Sequence, residues 1–281
     1  MGEINHLDIG FMQGRLSDIK DQKIQQFPYD NWSNEFYLAK KNNFTKIEWT
    51  IDLETLPLNP IYSKEGRNEI IYYKDKYNIK IESLTGDLFM QKPFWKNIGS
   101  NQKVLKNLFL KTINCSKKVG IKYIILPLVD NGSISNSHQE RVLVSFLKSI
   151  QKKLRENKQK ILFETDFPPL KNLRFIKKFN PNFFGINYDT GNSAHKGFNN
   201  QKELKLLFQY IKNIHIKDRL LNRGTVPLGK GNYKFDTFFR FIKKNKYKGN
   251  LILQTARSKN KNHLKNLIKY RNFVIKKFNN S

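Results

Sequence analysis

Phe184-Gly-Ile-Asn-Tyr-Asp189 is a short apolar run that ends on a carboxylate, and three further segments share its form. Ile161-Leu-Phe-Glu164 ends on a glutamate, Ile211-Lys-Asn-Ile-His215 on an imidazole, and Asn250-Leu-Ile-Leu-Gln254 on an amide. Near-continuous apolar runs of this length are what parallel strands buried on both faces require. Working outwards, Leu7 to Met12, Lys46 to Trp49, Lys80 to Leu84 and Tyr123 to Leu128 read the same way, which makes eight strand candidates. Between them lie helix-like segments, Ser33 to Lys41, Val104 to Val119, Val142 to Arg155, Leu170 to Phe179, Lys202 to Tyr210 and Phe235 to Lys244. Eight βα units in 281 residues predict an α/β fold, a single (β/α)8 TIM barrel with parallel strands, occupying residues 1–281 as one domain. The alternative, an open doubly wound sheet, would carry a Gly-rich phosphate loop after the first strand, and Gly10-Phe-Met-Gln-Gly14 lacks the dinucleotide spacing.

A hydrophobic content of 38% supports a full core. No apolar run is long enough to span a bilayer, so no membrane association is expected. Met1 to Asp8 contains no cationic stretch leading into an apolar one, and the single Cys115 has no disulfide partner. A reduced, cytoplasmic setting follows as the expectation. The net charge of +29 would suit nucleic acid. The lysines are, however, scattered over nearly every helix-like segment and accompany Asn, Ile, Phe and Tyr, as AT-rich coding produces. Nucleic acid is therefore not the expected partner, and self-association into a homo-oligomer is left open.

In a closed barrel the strand C-termini open onto one face, so the polar residues that end the strands converge there. They comprise Gln13 and Arg15 after the first strand, Glu48 at the second, Glu82 and Asp87 at the third, and Asp130 and Asn131 at the fourth. The later strands contribute Glu164, Asp166, Asp189, Asn192, His215, Lys217, Asp218, Arg219, Gln254 and Arg257. Carboxylate oxygen and imidazole nitrogen suit a hard or borderline divalent ion, so Glu164, Asp189 and His215 read as one compact metal site. Gln254 offers the same site a carbonyl oxygen but no base. Trp49 is the tryptophan best placed to stack on a sugar ring, whereas Trp32 and Trp95 suit helix packing. His6, His138, His195 and His263 follow no apolar strand and read as surface or capping residues.

Several stretches resemble the xylose isomerase-like barrels, a family that includes sugar-phosphate isomerases and epimerases, tagatose and psicose epimerases, inosose dehydratases and endonuclease IV. The matching stretches are Phe163-Glu164-Thr165, Asn187-Tyr188-Asp189-Thr190-Gly191-Asn192, Asn213-Ile-His215-Ile-Lys217-Asp218-Arg219, Pro227-Leu-Gly229-Lys-Gly231 and Tyr247-Lys-Gly249. Ile9-Gly-Phe-Met-Gln-Gly-Arg15 and Lys46-Ile-Glu-Trp49 agree more loosely. The resemblance implies a divalent metal ion (Mn, Mg, Co or Zn) held by Glu164, Asp189 and His215, with Gln254 at the position of the family's fourth ligand, a glutamate. Asn192 likewise stands where relatives often carry a histidine.

What the resemblance implies for chemistry is a metal-dependent sugar or sugar-phosphate isomerase working through an enediolate, with Glu164 and Gln254 at the catalytic positions. Two-base epimerisation is in doubt because Gln254 cannot take a proton, while a one-base isomerisation through Glu164 survives the substitution. Gln13, Arg15, Glu48, Trp49, Asn192, Lys217, Asp218, Arg219, Arg223 and Arg257 are the expected substrate-binding residues. Their cations, with the backbone amides of Arg223 to Gly231, suit a phosphate or carboxylate. The competing readings are an epimerase or dehydratase of the same family, a non-catalytic sugar-binding barrel and an endonuclease IV-like DNA repair enzyme.

Overall fold

The computed structural model describes residues 8–19, 25–258 and 260–281. Eight parallel strands close into a barrel: β1 (Ile9–Met12), β2 (Ile47–Ile51), β3 (Ser83–Gly86), β4 (Tyr123–Leu128), β5 (Lys160–Thr165), β6 (Phe184–Asp189), β7 (Ile211–Ile216) and, eighth around the ring, β10 (Asn250–Leu253). Each strand pairs with its predecessor in the ring, and β10 returns to β1. Between β7 and β10 a small antiparallel hairpin, β8 (Asp218–Arg219) and β9 (Thr225–Val226), interrupts the alternation.

The helices follow the expected order, with α1 (Trp32–Lys41), α2 (Lys64–Tyr77), α3 (Asp87–Gln91), α4 (Gly99–Lys118), α5 (Ser137–Ser149), α6 (Gln151–Asn157), α7 (Pro169–Ile176), α8 (Thr190–Lys196), α9 (Asn200–Leu207), α10 (Phe235–Lys244) and α11 (His263–Asn279). The segment expected as one helix from Val142 to Arg155 is two, broken at Ile150. Among the described residues no helix is long and apolar enough to cross a membrane.

Strand side chains alternate between two environments. Outward residues meet the helix layer, as where Phe163 packs edge-on against Phe175 and at a tilt against Phe179, at 5.0 and 4.8 Å between ring centroids. Inward residues are polar to an unusual degree. At the base Lys46 closes the barrel, donating to Asn250 Oδ1 at 2.8 Å and pairing with Asp8 and Glu82 at 2.9 and 3.1 Å.

Glu82 had been expected at the mouth. The third strand runs Ser83–Gly86 rather than ending at Leu84, because its pairing with β2 continues to Ile51 opposite Gly86, while Lys80 before it makes only a single bridge to Lys46. The shift puts Glu82 at the base and Asp87 at the mouth.

Candidate active site

The centre of the barrel is organised by Glu48, which is completely buried on β2. Its carboxylate accepts from Ser83 Oγ and Thr85 Oγ1 of β3, both at 2.7 Å, and from Asn213 Nδ2 of β7 at 3.1 Å. Its fourth contact reaches across the barrel to His215 Nε2 at 2.7 Å. Burial pushes this carboxyl upward, yet the charge of His215 and the hydroxyl donors outweigh it and hold Glu48 below the usual carboxylate range.

His215 is fixed from both sides. Its Nε2 meets Glu48, while Nδ1 lies 3.0 Å from Glu164 Oε2 and 3.0 Å from the side-chain amide of Asn187. Burial alone would lower its pKa; Glu48 and Glu164 reverse the sign and raise it well above the ordinary imidazole value. Asn187 Nδ2 also donates to Glu164 Oε2 at 2.6 Å, and Asn192 Nδ2 to Glu164 Oε1 at 3.2 Å. Burial raises the Glu164 carboxyl, and His215 with these donors brings it to a net lowering.

Asp189 ends β6 and caps α8. Its Oδ1 accepts from the backbone N–H groups of Gly191 and Asn192 at 2.6 and 3.1 Å. A register shift between Ile186 and Asn187 gives β7 an extra residue and brings Asp189 level with His215. Burial raises its pKa. Its Oδ2 is buried without a hydrogen-bond partner.

Ligand atoms of Glu164, Asp189 and His215 lie within 4.8 Å of one another, close enough to share one ion. The orphaned Asp189 Oδ2 and the O, O, N donor set fit a divalent metal. Glu48, anchoring Nε2–H, would leave Nδ1 of His215 as the metal-facing nitrogen, the carboxylate–histidine arrangement that commonly orients such ligands. Gln254 sits beside the cluster, its Oε1 accepting from Lys217 Nζ at 3.3 Å, and the same ammonium lies 3.7 Å from Asp189 Oδ2. A lysine therefore bridges the amide and the aspartate.

On the β1 to β3 side, Gln13 and Arg15 are buried, and Gln13 Oε1 accepts from the backbone N–H of Thr50 at 3.2 Å. Arg15 Nη2 donates to Gln25 Oε1 at 2.9 Å. The loop carrying Arg15 hangs on Glu35, a fully buried carboxylate of α1 that accepts from Gly14 N–H, Leu16 N–H and Ser17 Oγ. Asp87 is buried with Oδ2 unpartnered, and its pKa is pushed up to about 7 by burial first and by Glu164 second.

Other expected substrate contacts are placed elsewhere. Trp49 is wholly buried on the outer face of β2, 5.4 and 5.7 Å from the rings of Phe27 and Trp32, with Nε1 donating to Asn59. It cannot stack on a substrate, because Glu48 beside it takes the inward position. Glu48 for its part lies below the mouth, in contact with His215. Asp218 accepts from the backbone N–H groups of Gly229, Gly231 and Tyr233 and so shapes the loop after the hairpin. Gly231 must be glycine there, since a Cβ would come within 2.2 Å of Asp218 Oδ1.

Arg219 Nε donates to Arg223 O on the same hairpin, and Arg223 is exposed. Asp166 pairs with Lys196 at 3.0 Å. His263 is buried rather than on the surface, 2.9 Å from Asp18. His6 lies outside the described residues.

Residues 36–272 match the family model described as the xylose isomerase-like TIM barrel. The chain belongs to that family. It is 26% identical over 264 residues, 87% of this chain and 90% of the relative, to a Haemophilus influenzae protein provisionally named an L-ribulose-5-phosphate 3-epimerase. Among solved structures it superposes on the D-allulose 3-epimerase of a Methylomonas species in complex with D-allulose, with a TM-score of 0.76, 14% identity and coverage of 96% and 97% of the two chains. A xylose isomerase-like barrel from Mycobacterium smegmatis in complex with magnesium gives 0.71 at 14% identity, covering 99% and 98%.

Proposed function

We propose that the chain is a divalent-metal-dependent sugar isomerase or epimerase that moves the proton on the carbon beside a ketose carbonyl, with Glu164 as the proton-transferring carboxylate. The observation that carries this reading is the buried Glu164, Asp189 and His215 cluster with an Asp189 oxygen that accepts no hydrogen bond. The name of the Haemophilus relative and the ligands of the structural neighbours support the substrate class. A divalent ion bound there would draw electron density from the oxygens of the substrate.

Glu164, held below the usual carboxylate range by His215, Lys217 and Asn187 against the effect of burial, is ionised at neutral pH and ready to accept a proton. It takes the proton from carbon, and the C–H pair becomes the C=C bond as the carbonyl π pair moves onto oxygen to give an enediolate. The proton of the adjacent hydroxyl passes to that oxygen, and return of the first proton to the former carbonyl carbon, as the new carbonyl forms, completes an isomerisation. Return to the opposite face of the same carbon would need a second proton donor, which the Gln254 amide cannot be. Lys217 and Asn192 position the carboxylates by ion pairing and hydrogen bonding.

The test is incorporation of solvent deuterium into D-allulose, D-tagatose, L-ribulose and L-ribulose 5-phosphate in the presence of Mn2+ or Mg2+. Exchange is expected with at least one of them, and Glu164→Gln should reduce it by roughly 10²- to 10⁴-fold. Absence of exchange with every sugar would overturn the proposal.

A further inference from the structure

The Arg223 to Gly231 loop, the expected anion site, has little left to offer one. Gly229 and Gly231 spend their N–H groups on Asp218, and Arg219 Nε is turned onto the carbonyl of Arg223. The buried cationic chemistry of the mouth lies instead where the loops after β1 and β10 meet.

Arg15 is 5% exposed, and only one of its nitrogens is engaged: Nη2 is bonded to Gln25, whereas Nε and Nη1 are buried without a partner among the described residues. Among those residues no carboxylate lies within 4.0 Å of its guanidinium, the distance at which the barrel's other ion pairs form. The nearby Glu35 is saturated by Gly14, Leu16 and Ser17.

Arg257 brings a second guanidinium to the same place. Its Nη2 donates to Ser17 O at 2.5 Å, and its Nη1 lies 3.5 Å from where a Cβ on Gly14 would sit. Next to them Gln13 is fully buried and its Nε2 is also unpartnered. Burial and the neighbouring Arg257 pull the Arg15 pKa down to about 9, outweighing the more distant charges of Glu35, Asp87 and Glu48. A buried cation such as Arg15 and a buried amide donor such as Gln13 Nε2 are costly when left without partners, and native proteins satisfy such groups with a ligand or a partner.

We propose that Arg15, Arg257 and Gln13 form a subsite for a phosphate monoester on the end of the substrate remote from the Glu164, Asp189 and His215 cluster. This rests on the reading that a sugar occupies the mouth, and it selects sugar phosphates within that class. Two guanidinium groups and an amide match the several oxygens of a tetrahedral phosphate. The inward direction of Arg15 follows from its tether, since Gln25 Nε2 continues to Thr50 Oγ1 at 3.4 Å on the inner face of β2.

The experiment is calorimetric titration of the full chain with inorganic phosphate, then with L-ribulose 5-phosphate and L-ribulose, for the wild type, Arg15→Met, Arg15→Lys and Arg257→Met. Wild type should bind inorganic phosphate and prefer the phosphorylated sugar. Arg15→Met should weaken both phosphorylated ligands by roughly ten-fold or more while leaving L-ribulose unchanged, with Arg15→Lys between.

Thermal melts check folding, and if Arg15→Met does not fold, Arg257→Met carries the comparison. Equal phosphate affinity in wild type and the folded variants, or no preference of wild type for the phosphorylated sugar, overturns the subsite. Phosphate-selective binding without deuterium exchange would instead sustain the subsite and overturn the isomerase reading. Exchange into unphosphorylated sugars alone would do the reverse.

Discussion

Glu48 and Asp87 are both buried, inward-facing carboxylates, one on β2 and the other directly after β3, and their pKa values are displaced in opposite directions. Glu48 receives two hydroxyls, an amide and an imidazole. Asp87 keeps an oxygen without a donor and faces the charge of Glu164. Burial is common to both, so the neighbouring charge, His215 for one and Glu164 for the other, decides the sign together with the donors. The contrast separates a carboxylate built into the scaffold from one left open to whatever enters the mouth.

Removing Glu48 should break this contrast most severely. Glu48→Ala strands His215 and three donors, with an expected destabilisation of about 3–5 kcal/mol, since the partner of a buried charge is left behind. Where the variant remains folded, loss of the Nε2 anchor should weaken Mn2+ binding by about 10- to 100-fold. Chemical denaturation and metal titration measure the two effects, and an unchanged metal affinity would show that Glu48 does not orient His215.

Asp87→Asn sharpens the other side. A carboxyl whose pKa is raised from 3.8 to about 7 on folding holds its proton more tightly in the native state, so its contribution to stability is favourable at low pH and is lost as pH rises. Denaturation of chelator-treated protein at a series of pH values should show wild type falling relative to Asp87→Asn by up to about 1.4 kcal/mol per pH unit between pH 4 and 7. A difference independent of pH would mean that Asp87 ionises normally.

A smaller effect is expected from Gln254→Glu. The restored carboxylate would face Lys217 and Asp189 and should tighten Mn2+ binding by about ten-fold, read by titration calorimetry. Weaker or unchanged binding would place residue 254 outside the coordination sphere. The least effect on metal should come from Trp49→Phe, which trims the outer face of the same strand. About 1–2 kcal/mol of stability should be lost with metal affinity unaltered. A fall in metal affinity would show that the two faces of β2 are not independent.

The fold and the three candidate ligands were legible because Glu164, Asp189 and His215 each close an apolar run, which fixes both the strand and its open end. Trp49 was misplaced for a reason the sequence contains. With period two, an inward Glu48 sends its neighbour outward. The same period could have exposed the polar lining, since Ser83, Thr85 and Asp87, then Asn187 with Asp189, and Asn213 with His215 are spaced two apart.

Glu82 is drawn to the mouth by ending the strand of Lys80 to Leu84 too early, and only its pairing with β2 shows that the strand runs on to Gly86. For Arg219 and Arg223 no local signal exists. The β8–β9 hairpin that carries them off pairs Asp218 with Val226 and Arg219 with Thr225, and Asp218 then grips amides more than ten residues downstream.

The loop from Gly14 to Ser17 is held by its own amides and one hydroxyl on Glu35, not by the side chain of Arg15. Its shape is therefore written in α1, outside the mouth, while its chemistry is written in a single side chain that the tether never uses. Evolution can rewrite position 15 without redrafting the backbone around it. If Arg15 holds the proposed phosphate, a barrel built this way would change the ligand it prefers by one codon and keep its architecture.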